Sequence, residues 1–430
     1  MRALVVGLAA LALPLATATA VSGHETPEGD LAVAAKRLKP GPAWNAEMQT
    51  SNFTVVGHSD LGGGGLNADV WVHRGYAYVG VWRGTCPASG VKVVDTRNPH
   101  NPNVVARLQN PKGTSAEDVT VREVRTPSFT GALAVVGIQP CSDPAGSTVF
   151  RGLQFWDVTK PATPQLLSTW AAPYIGCHEV DLVQRADHKV FAGCASAFAE
   201  PGAGADEVVV VDATNPMQPR KAGGFALGKD KGIDPVDNPQ NVGCFKASFA
   251  HSVRFARGGR TLFASYWDHG TMKFDVGDTG RVHPVTRSDV APPDEDADNH
   301  SMTLARRGTV MAINLEDWSP LEGCEDKNGW GEVHITTNTR GKNTHLSTFA
   351  TPNTRTQRTD GFFSVHNTET VRNTEMFSSW YSDGIVWWSL DDPQNPRMKG
   401  QFVPPATEDP TGTFPPVPIV WVPTPTPART

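Results

Sequence analysis

"GVKVVDTRNPHNP", Gly90 to Pro102, is a run of β-branched residues, then Asp, then a turn rich in Asn and Pro. The pattern recurs as "GLQFWDVTKPATP" (Gly152 to Pro164), "EVVVVDATNPMQP" (Glu207 to Pro219), "TMKFDVGDTGRVHP" (Thr271 to Pro284) and "GIVWWSLDDPQNP" (Gly384 to Pro396). A degenerate copy, "EVHITTNTR", begins at Glu332. Asp and Asn side chains bond nearby backbone N–H groups and Pro presets φ, so each copy reads as a strand entering a turn. A further strand follows, as in "NVVARL" and "QLLSTW".

A second motif precedes the first: "ADVWVHRGYAYVGVW", "EDVTVREVRTPSFTGALAVVGI", "HEVDLVQRADHKVFAGCA", "HSVRFARGGRTLFASYW", "HSMTLARRGTVMAINL" and "HNTETVRNTEMFSSWY". Each reads as a β-hairpin with polar or Gly turn residues. Together the motifs make a unit of four antiparallel strands, repeated six times from Ala68, Glu117, His178, His251, His300 and His366. Four-stranded sheets repeated radially are the plan of an all-β propeller. Separate β-sandwiches would need Greek-key connections and would not hold one period throughout.

The ends of the chain bear on ring closure. "NFTVVGHSDL" (Asn52 to Leu61) is expected to be the outermost strand of the final blade. "VPIVWV", within the last repeat's tail, reads as the innermost strand of a seventh blade that then stops. The expectation is a seven-blade plan with an incomplete last blade; the alternative is a ring of six. The propeller is placed at residues 51–422, with a linker over 21–50 and a Pro/Thr-rich tail over 423–430.

The segments "YAYVGVW…GVKVVDTRNPHNP" and "GLQFWDVTKPATP" resemble the LVIVD repeat of exported bacterial and archaeal β-propellers. The resemblance covers roughly residues 51 to 422. It implies a fold and an extracytoplasmic setting, and almost nothing about activity.

Composition agrees with a folded chain: of 430 residues, 39% are hydrophobic and 19% charged, and 41 Gly with 35 Pro favour many turns. A net charge of −6 and the lack of a basic stripe argue against nucleic acid as a partner. At the N-terminus, Arg2 precedes an apolar run and small residues in Ala-x-Ala spacing, a signal-peptide pattern over residues 1–20. That run is too short to span a bilayer, and no other segment is expected to cross one. In a secreted or cell-surface protein, six cysteines are most simply three disulfides. Cys177 and Cys194 flank one hairpin and should face each other. Cys86 and Cys141 occupy the same loop in successive blades, leaving Cys244 and Cys324.

The repeat gives the histidines their meaning. In a propeller the first strand of each blade lines the central channel. The residues at its start are Ala68, Glu117, His178, His251, His300 and His366, so four histidines on consecutive blades should face one axis. Imidazole is the commonest neutral ligand for transition metals, and a ligating His usually gives its other N–H to a carboxylate. Glu117, Glu179, Asp298 and Glu369 are the carboxylates expected beside the four. The plan is similar to that of carotenoid-cleaving oxygenases and selenium-binding-type propellers, which carry axial histidines, although their motifs are absent here. The competing reading is structural: such histidines can tie adjacent blades together without a metal. The functional expectation is therefore an exported binding or scaffold protein for a protein or small-molecule partner. The alternative is a metalloenzyme, of oxidoreductase or lyase type, with a transition metal ion of unknown identity on His178, His251, His300 and His366.

Overall fold

A computed structural model describes residues 37–38, 48–82, 90–141, 149–172, 176–196, 205–233, 248–288, 298–318, 320, 329–406, 408–409, 412 and 414–425. Six antiparallel sheets are arranged as propeller blades. Blade one runs outward through Leu66–His73, Tyr76–Trp82, Val91–Asp95 and Asn103–Leu108. The innermost strands of blades two to six are Val119–Arg125, Val180–Gln184, Ala250–Ala256, Asn299–Ala305 and Thr368–Val371. Every blade then follows the order read from the repeats, in-to-out and in sequence.

The first hairpin turns need left-handed backbone, and the sequence supplies it. Arg74 and Gly75 (φ 49° and 81°) turn blade one, and Arg257 and Gly258 (φ 51° and 60°) turn blade four. Positive φ at both central residues matches the twist of the flanking strands. The core lies between blades. Phe191, Val208 and Val210 of blade three pack on Val253, Leu262 and Phe274 of blade four, all buried. Each sheet therefore buries both faces, which is why its middle strands, such as Val190–Ala195, Val208–Asp212 and Val310–Leu315, read as near-continuous apolar runs.

Of the two closures the sequence leaves open, the described residues form the ring of six. The closing strand is Gln49–Ser51, which pairs with Arg397–Val403 as a fifth, outermost strand of blade six. The expected role is therefore present, but not in "NFTVVGHSDL", whose residues beyond Ser51 form no regular strand. Asn52, at φ 58°, ends the pairing and turns the chain. Phe53 then packs beside Phe377 and Phe402, with ring centroids 6.2 and 6.4 Å away.

"VPIVWV" does not form a strand either. Pro415, Pro416, Pro418 and Pro423 remove the N–H donors that a ladder needs. The segment instead lies as a strap in the seam between blades six and one. Val420 N–H donates to the Tyr381 carbonyl at 3.1 Å, Ser382 Oγ to the Pro418 carbonyl at 2.8 Å, and Thr424 Oγ1 to the Val70 carbonyl. Phe414, Val417 and Trp421 are buried with Trp82 of blade one and Tyr381 of blade six. The strap thus bridges the two blades that close the ring.

Cys177 and Cys194 form a disulfide. Cys141 is also disulfide-bonded. Cys86, Cys244 and Cys324 lie outside the described residues, as do the signal-peptide pattern and the end of the tail. Among the described residues no helix is long and apolar enough to cross a membrane.

Truncating a buried Trp to Ala costs about 3–5 kcal/mol. Trp421→Ala, and separately a chain ending at Thr413, should therefore melt several degrees below the parent by circular dichroism. Unchanged melting of both would show that the strap does not hold the seam.

Candidate metal centre

The repeat address turns four imidazoles onto the channel axis. His251 and His300 lie on the innermost strands of blades four and five, and His178 and His366 stand two residues ahead of those of blades three and six. Successive rings touch: centroids are 4.4 Å apart from His178 to His251, then 4.1 Å to His300 and 4.1 Å to His366. All four are 1–4% exposed.

Hydrogen bonding assigns the protons. His178 Nδ1 faces Gln139 Oε1 at 3.1 Å and Glu117 Oε2 at 3.2 Å. Both are acceptors, so Nδ1 carries the proton and Nε2 is bare. His178 Nε2 lies 3.0 Å from His251 Nε2 and takes its N–H. His251 Nδ1 then lies 3.7 Å from Glu179 Oε1. On the other side, His366 Nδ1 donates to the Trp421 carbonyl at 2.8 Å. Its bare Nε2 faces Glu316 Oε1 at 3.9 Å. Between them, His300 Nε2 lies 3.9 Å from Glu179 Oε1 and 3.6 Å from Glu316 Oε2.

Two donor sets result, Glu179–His251–His300 and His300–Glu316–His366, and they share His300. Metal–nitrogen bonds of about 2.0–2.1 Å at tetrahedral angles put donors roughly 3.3–3.5 Å apart. The observed separations of 3.6–3.9 Å between carboxylate oxygen and imidazole nitrogen need only a small contraction. Within each set the donor atoms lie within 4.8 Å of one another, so either could hold a metal ion.

Burial keeps His251, His300 and His366 neutral. It holds His251 and His300 well below the usual imidazole range, reinforced by the neighbouring histidines. It brings His366 down to about 3, against the opposing pull of the Trp421 carbonyl. Neutral imidazole is the ligating form.

The structure sorts the expected residues. His178 belongs to neither donor set and instead orients His251 from behind. Glu117 backs His178 as expected. Glu179 reaches the histidines as a potential ligand rather than a supporting group. Glu369 lies away from His366 and pairs with Arg254. Asp298 is buried beside His300, and its carbonyl accepts the Glu316 N–H at 2.8 Å.

Glu316, Gln139, Tyr381 and the Trp421 carbonyl were not read from the sequence. Glu316 directly follows the strand Val310–Leu315, as Trp267 follows Thr261–Tyr266 and Tyr381 follows Glu375–Trp380. That second recurring address was the available signal. Tyr381 donates its hydroxyl to Glu316 from a strained backbone, φ 34°.

One residue further along each repeat lies a second layer: Asp69, Asp118 and Glu179, then Ser252, Ser301 and Asn367. Burial raises Asp69 and Glu179 well above the carboxylate range, aided by their mutual repulsion and by Asp118. Burial brings Asp118 up to about 7, against the backbone N–H groups of Val180 and Val119.

No protein-family model and no curated protein matches the chain. Among solved structures, the periplasmic gluconolactonase PpgL of Pseudomonas aeruginosa aligns over 75% of this chain and 81% of its own, at TM-score 0.49 and 13% identity. Sqt1 of Saccharomyces cerevisiae aligns over 75% and 70%, at 0.47 and 10%. A hypothetical selenium-binding protein of Sulfolobus tokodaii aligns over 65% and 64%, at 0.46 and 12%. These are likenesses of shape only.

A carboxylate whose folded pKa is raised contributes stability at low pH that is lost as pH rises through the folded value. For Asp118 the loss runs from the ordinary carboxylate range to about 7. Asp118→Asn should therefore raise the melting temperature clearly at pH 8 and little at pH 4. A gain that is equal at both pH values would contradict the assignment.

Proposed function

We propose that this chain is an exported metal-binding β-propeller. One divalent transition ion would sit among Glu179, His251, His300, Glu316 and His366. The observation that carries the reading is the proton arrangement. Two hydrogen-bonded chains, one from Glu117 and Gln139 through His178, the other from the Trp421 carbonyl, leave the bare nitrogens of His251 and His366 facing glutamates on either side of His300. Those two nitrogens lie 3.7 Å and 3.9 Å from the nearest glutamate oxygens, and His300 Nε2 lies within 3.9 Å of both glutamates.

Export is supported by the leader-like N-terminus and by the buried Cys177–Cys194 bridge, since disulfides persist in oxidising compartments. The repeat pattern supports a place among LVIVD-repeat propellers. Either donor set supplies three protein ligands. Three ligands leave a coordination position free, as catalytic zinc sites do. This favours, as a second reading, a metalloenzyme: a bound ion would act as a Lewis acid toward whatever occupied that position.

The protein purified without a His tag or chelators should carry near-stoichiometric Zn, Cu, Fe or Ni by elemental analysis, or take it up on reconstitution. His300→Ala, which removes the donor common to both sets, should lower occupancy at least tenfold while the circular dichroism spectrum stays that of a β-propeller. His178→Gln should weaken binding less, because it removes only the support behind His251. Metal-free protein that takes up no ion would leave the histidines as blade ties.

A further inference from the structure

The innermost strands end, as they begin, at a recurring address. Histidines stand at their starts and arginines in the turns that follow them. Arg74 lies there in blade one, Arg257 in blade four, Arg306 and Arg307 in blade five and Arg372 in blade six. All five have left-handed backbone, with φ from 49° to 56°. Such turns favour Asn, Asp or Gly, and the left-handed region is unfavourable for a long L side chain. An arginine that the turn does not call for, present in four blades, brings something other than the turn itself. At about 3.3 Å per residue, the strand of blade four puts Arg257 roughly 20 Å from His251. This end of the molecule is therefore remote from the metal centre.

In blade four the arginine borders a cleft. A depression of about 350 Å³ is lined by Arg257, Arg260, Thr261, Asp275, Val276 and Arg340. Arg257 and Arg260 come from the first hairpin turn of blade four and Arg340 from the last turn of blade five, so the cleft spans the seam between them. Arg340 Nη2 is held 2.7 Å from Asp275 Oδ2, and Arg260 Nη1 2.7 Å from Asp278 Oδ1. Asp278 Oδ1 is shared with Arg185 Nη2 of blade three, also at 2.7 Å. Each pair fixes the direction of a guanidinium but uses only part of it, since the group has five N–H donors. Arg257 is exposed, and its guanidinium has no partner among the described residues. Lys273, buried two residues before Asp275, donates to Asn338 Oδ1 at 2.9 Å and the Thr339 carbonyl at 3.2 Å, both neutral acceptors in the turn that carries Arg340. Burial, then repulsion from Arg257 and Arg340, holds this lysine below the usual range. Four cations thus stand against two carboxylates, one of them shared with a third blade. In a chain of net charge −6, that surplus is local.

We infer that the cleft between blades four and five is a binding site for a compact multivalent oxyanion, a phosphate-bearing small molecule of about diphosphate size, held by Arg257, Arg260 and Arg340. Its volume falls within the range of about 300–1,000 Å³ typical of small-ligand sites. Guanidinium forks match phosphate oxygens in pairs, and the two arginines already oriented by aspartates are set in place before the ligand arrives. A compact ligand fits better than an anionic bilayer. The turns between third and fourth strands lie at the same end of these antiparallel sheets and carry Asp95, Asp157, Asp212 and Asp392. A bilayer would meet all of these acids, whereas a ligand in the cleft meets Asp275 and Asp278 alone. The site uses none of the histidines and stands whether or not they hold a metal.

Isothermal titration of the full-length, chelator-treated protein with inorganic pyrophosphate, at constant ionic strength, is the direct measurement. Sedimentation with vesicles containing phosphatidylglycerol tests a lipid headgroup as the other source of phosphate. Pyrophosphate should bind saturably. Arg257→Asn and Arg340→Gln should each weaken it at least fivefold. Asn suits the left-handed turn better than Arg, so Arg257→Asn should melt no lower than the parent, and its loss of binding is then not a loss of fold. Arg74→Gln, at the same address in blade one, where the side chain pairs with Glu123 at 3.2 Å, should leave the affinity within about twofold. No binding by protein that melts cooperatively would overturn the inference. So would an equal loss in Arg74→Gln and Arg257→Asn, which would show only a general effect of charge. Binding that needs added Zn²⁺ and persists in Arg257→Asn would place the anion at the histidines instead. Capture by the vesicles without pyrophosphate binding would make this face a membrane contact and sink the cleft as a site.

Discussion

Sheets packed face to face around one axis leave each innermost strand little freedom. Side chains alternate along a strand, so residues two apart serve different faces from their neighbours. The apolar residues must go between blades, as Val180, Val253 and Met302 do. The intervening positions, such as Glu179, Ser252 and Ser301, then face the axis, and a register shift in the ladder at His251 and His300 lets the preceding residue do so as well. Here that constraint places polar residues in the most enclosed part of the molecule: four imidazoles in one layer and three acids in the next. None could be reached by water as it would be on an outer strand. Everything distinctive about the site follows from meeting the cost of that enclosure with partners, neutralised protonation states, or a bound species.

The two polar layers meet that cost differently. His251, His300 and His366 are held neutral by burial and organise their protons. Charges on rings 4.1 Å apart would repel strongly in a low-dielectric interior, so a chain of neutral rings is the lower-energy state there. Its direction is imposed from the ends, by Glu117 and Gln139 on one side and a backbone carbonyl on the other. The acids respond through protonation, burial raising Asp69, Asp118 and Glu179 above the usual carboxylate range. Val180 N–H and Asn367 offer hydrogen bonds, and the nearest guanidinium groups are held by Glu369 and Asp181. The first layer is therefore poised for a ligand that accepts nitrogen lone pairs.

The sequence made the repeat, the four-stranded blade and the axial address legible because each rests on local rules: β-branched runs, Asp-to-Pro turns and a fixed period. The disulfide Cys177–Cys194 was legible for the same reason, since both cysteines flank one hairpin. Glu316 was not, because its role depends on a second address, just past the second strand, where neighbouring blades carry Trp267 and Tyr381 and no shared chemistry draws attention to it. Glu369 was misplaced because counting three residues from His366 ignores that the strand carries it along the channel, into reach of Arg254. The acid layer was overlooked although Asp69, Asp118 and Glu179 stand at one offset. A carboxylate next to a histidine reads as its supporting group until the layers are separated in space.

Ring closure is where fold and site become one problem. Five seams of a six-bladed ring can be filled by neighbouring repeats, but the last joins the end of the chain to its beginning. A regular strand there would need N–H groups that the proline-rich segment 415–425 lacks, so the segment contributes carbonyls and aromatic rings instead. That choice has a chemical result. The Trp421 carbonyl accepts from both Ser379 Oγ, at 2.6 Å, and His366 Nδ1, at 2.8 Å. A carbonyl can hold a histidine in one tautomer but cannot change its charge, whereas a carboxylate at the same place would draw the ring toward the imidazolium. His178, at the other end of the row, does have a carboxylate behind it in Glu117, and it is the one histidine of the four outside both donor sets. The backbone that seals the ring thus keeps His366 bare at Nε2, while the carboxylate-backed histidine is set one step back. The asymmetry of the site repeats the asymmetry of the closure.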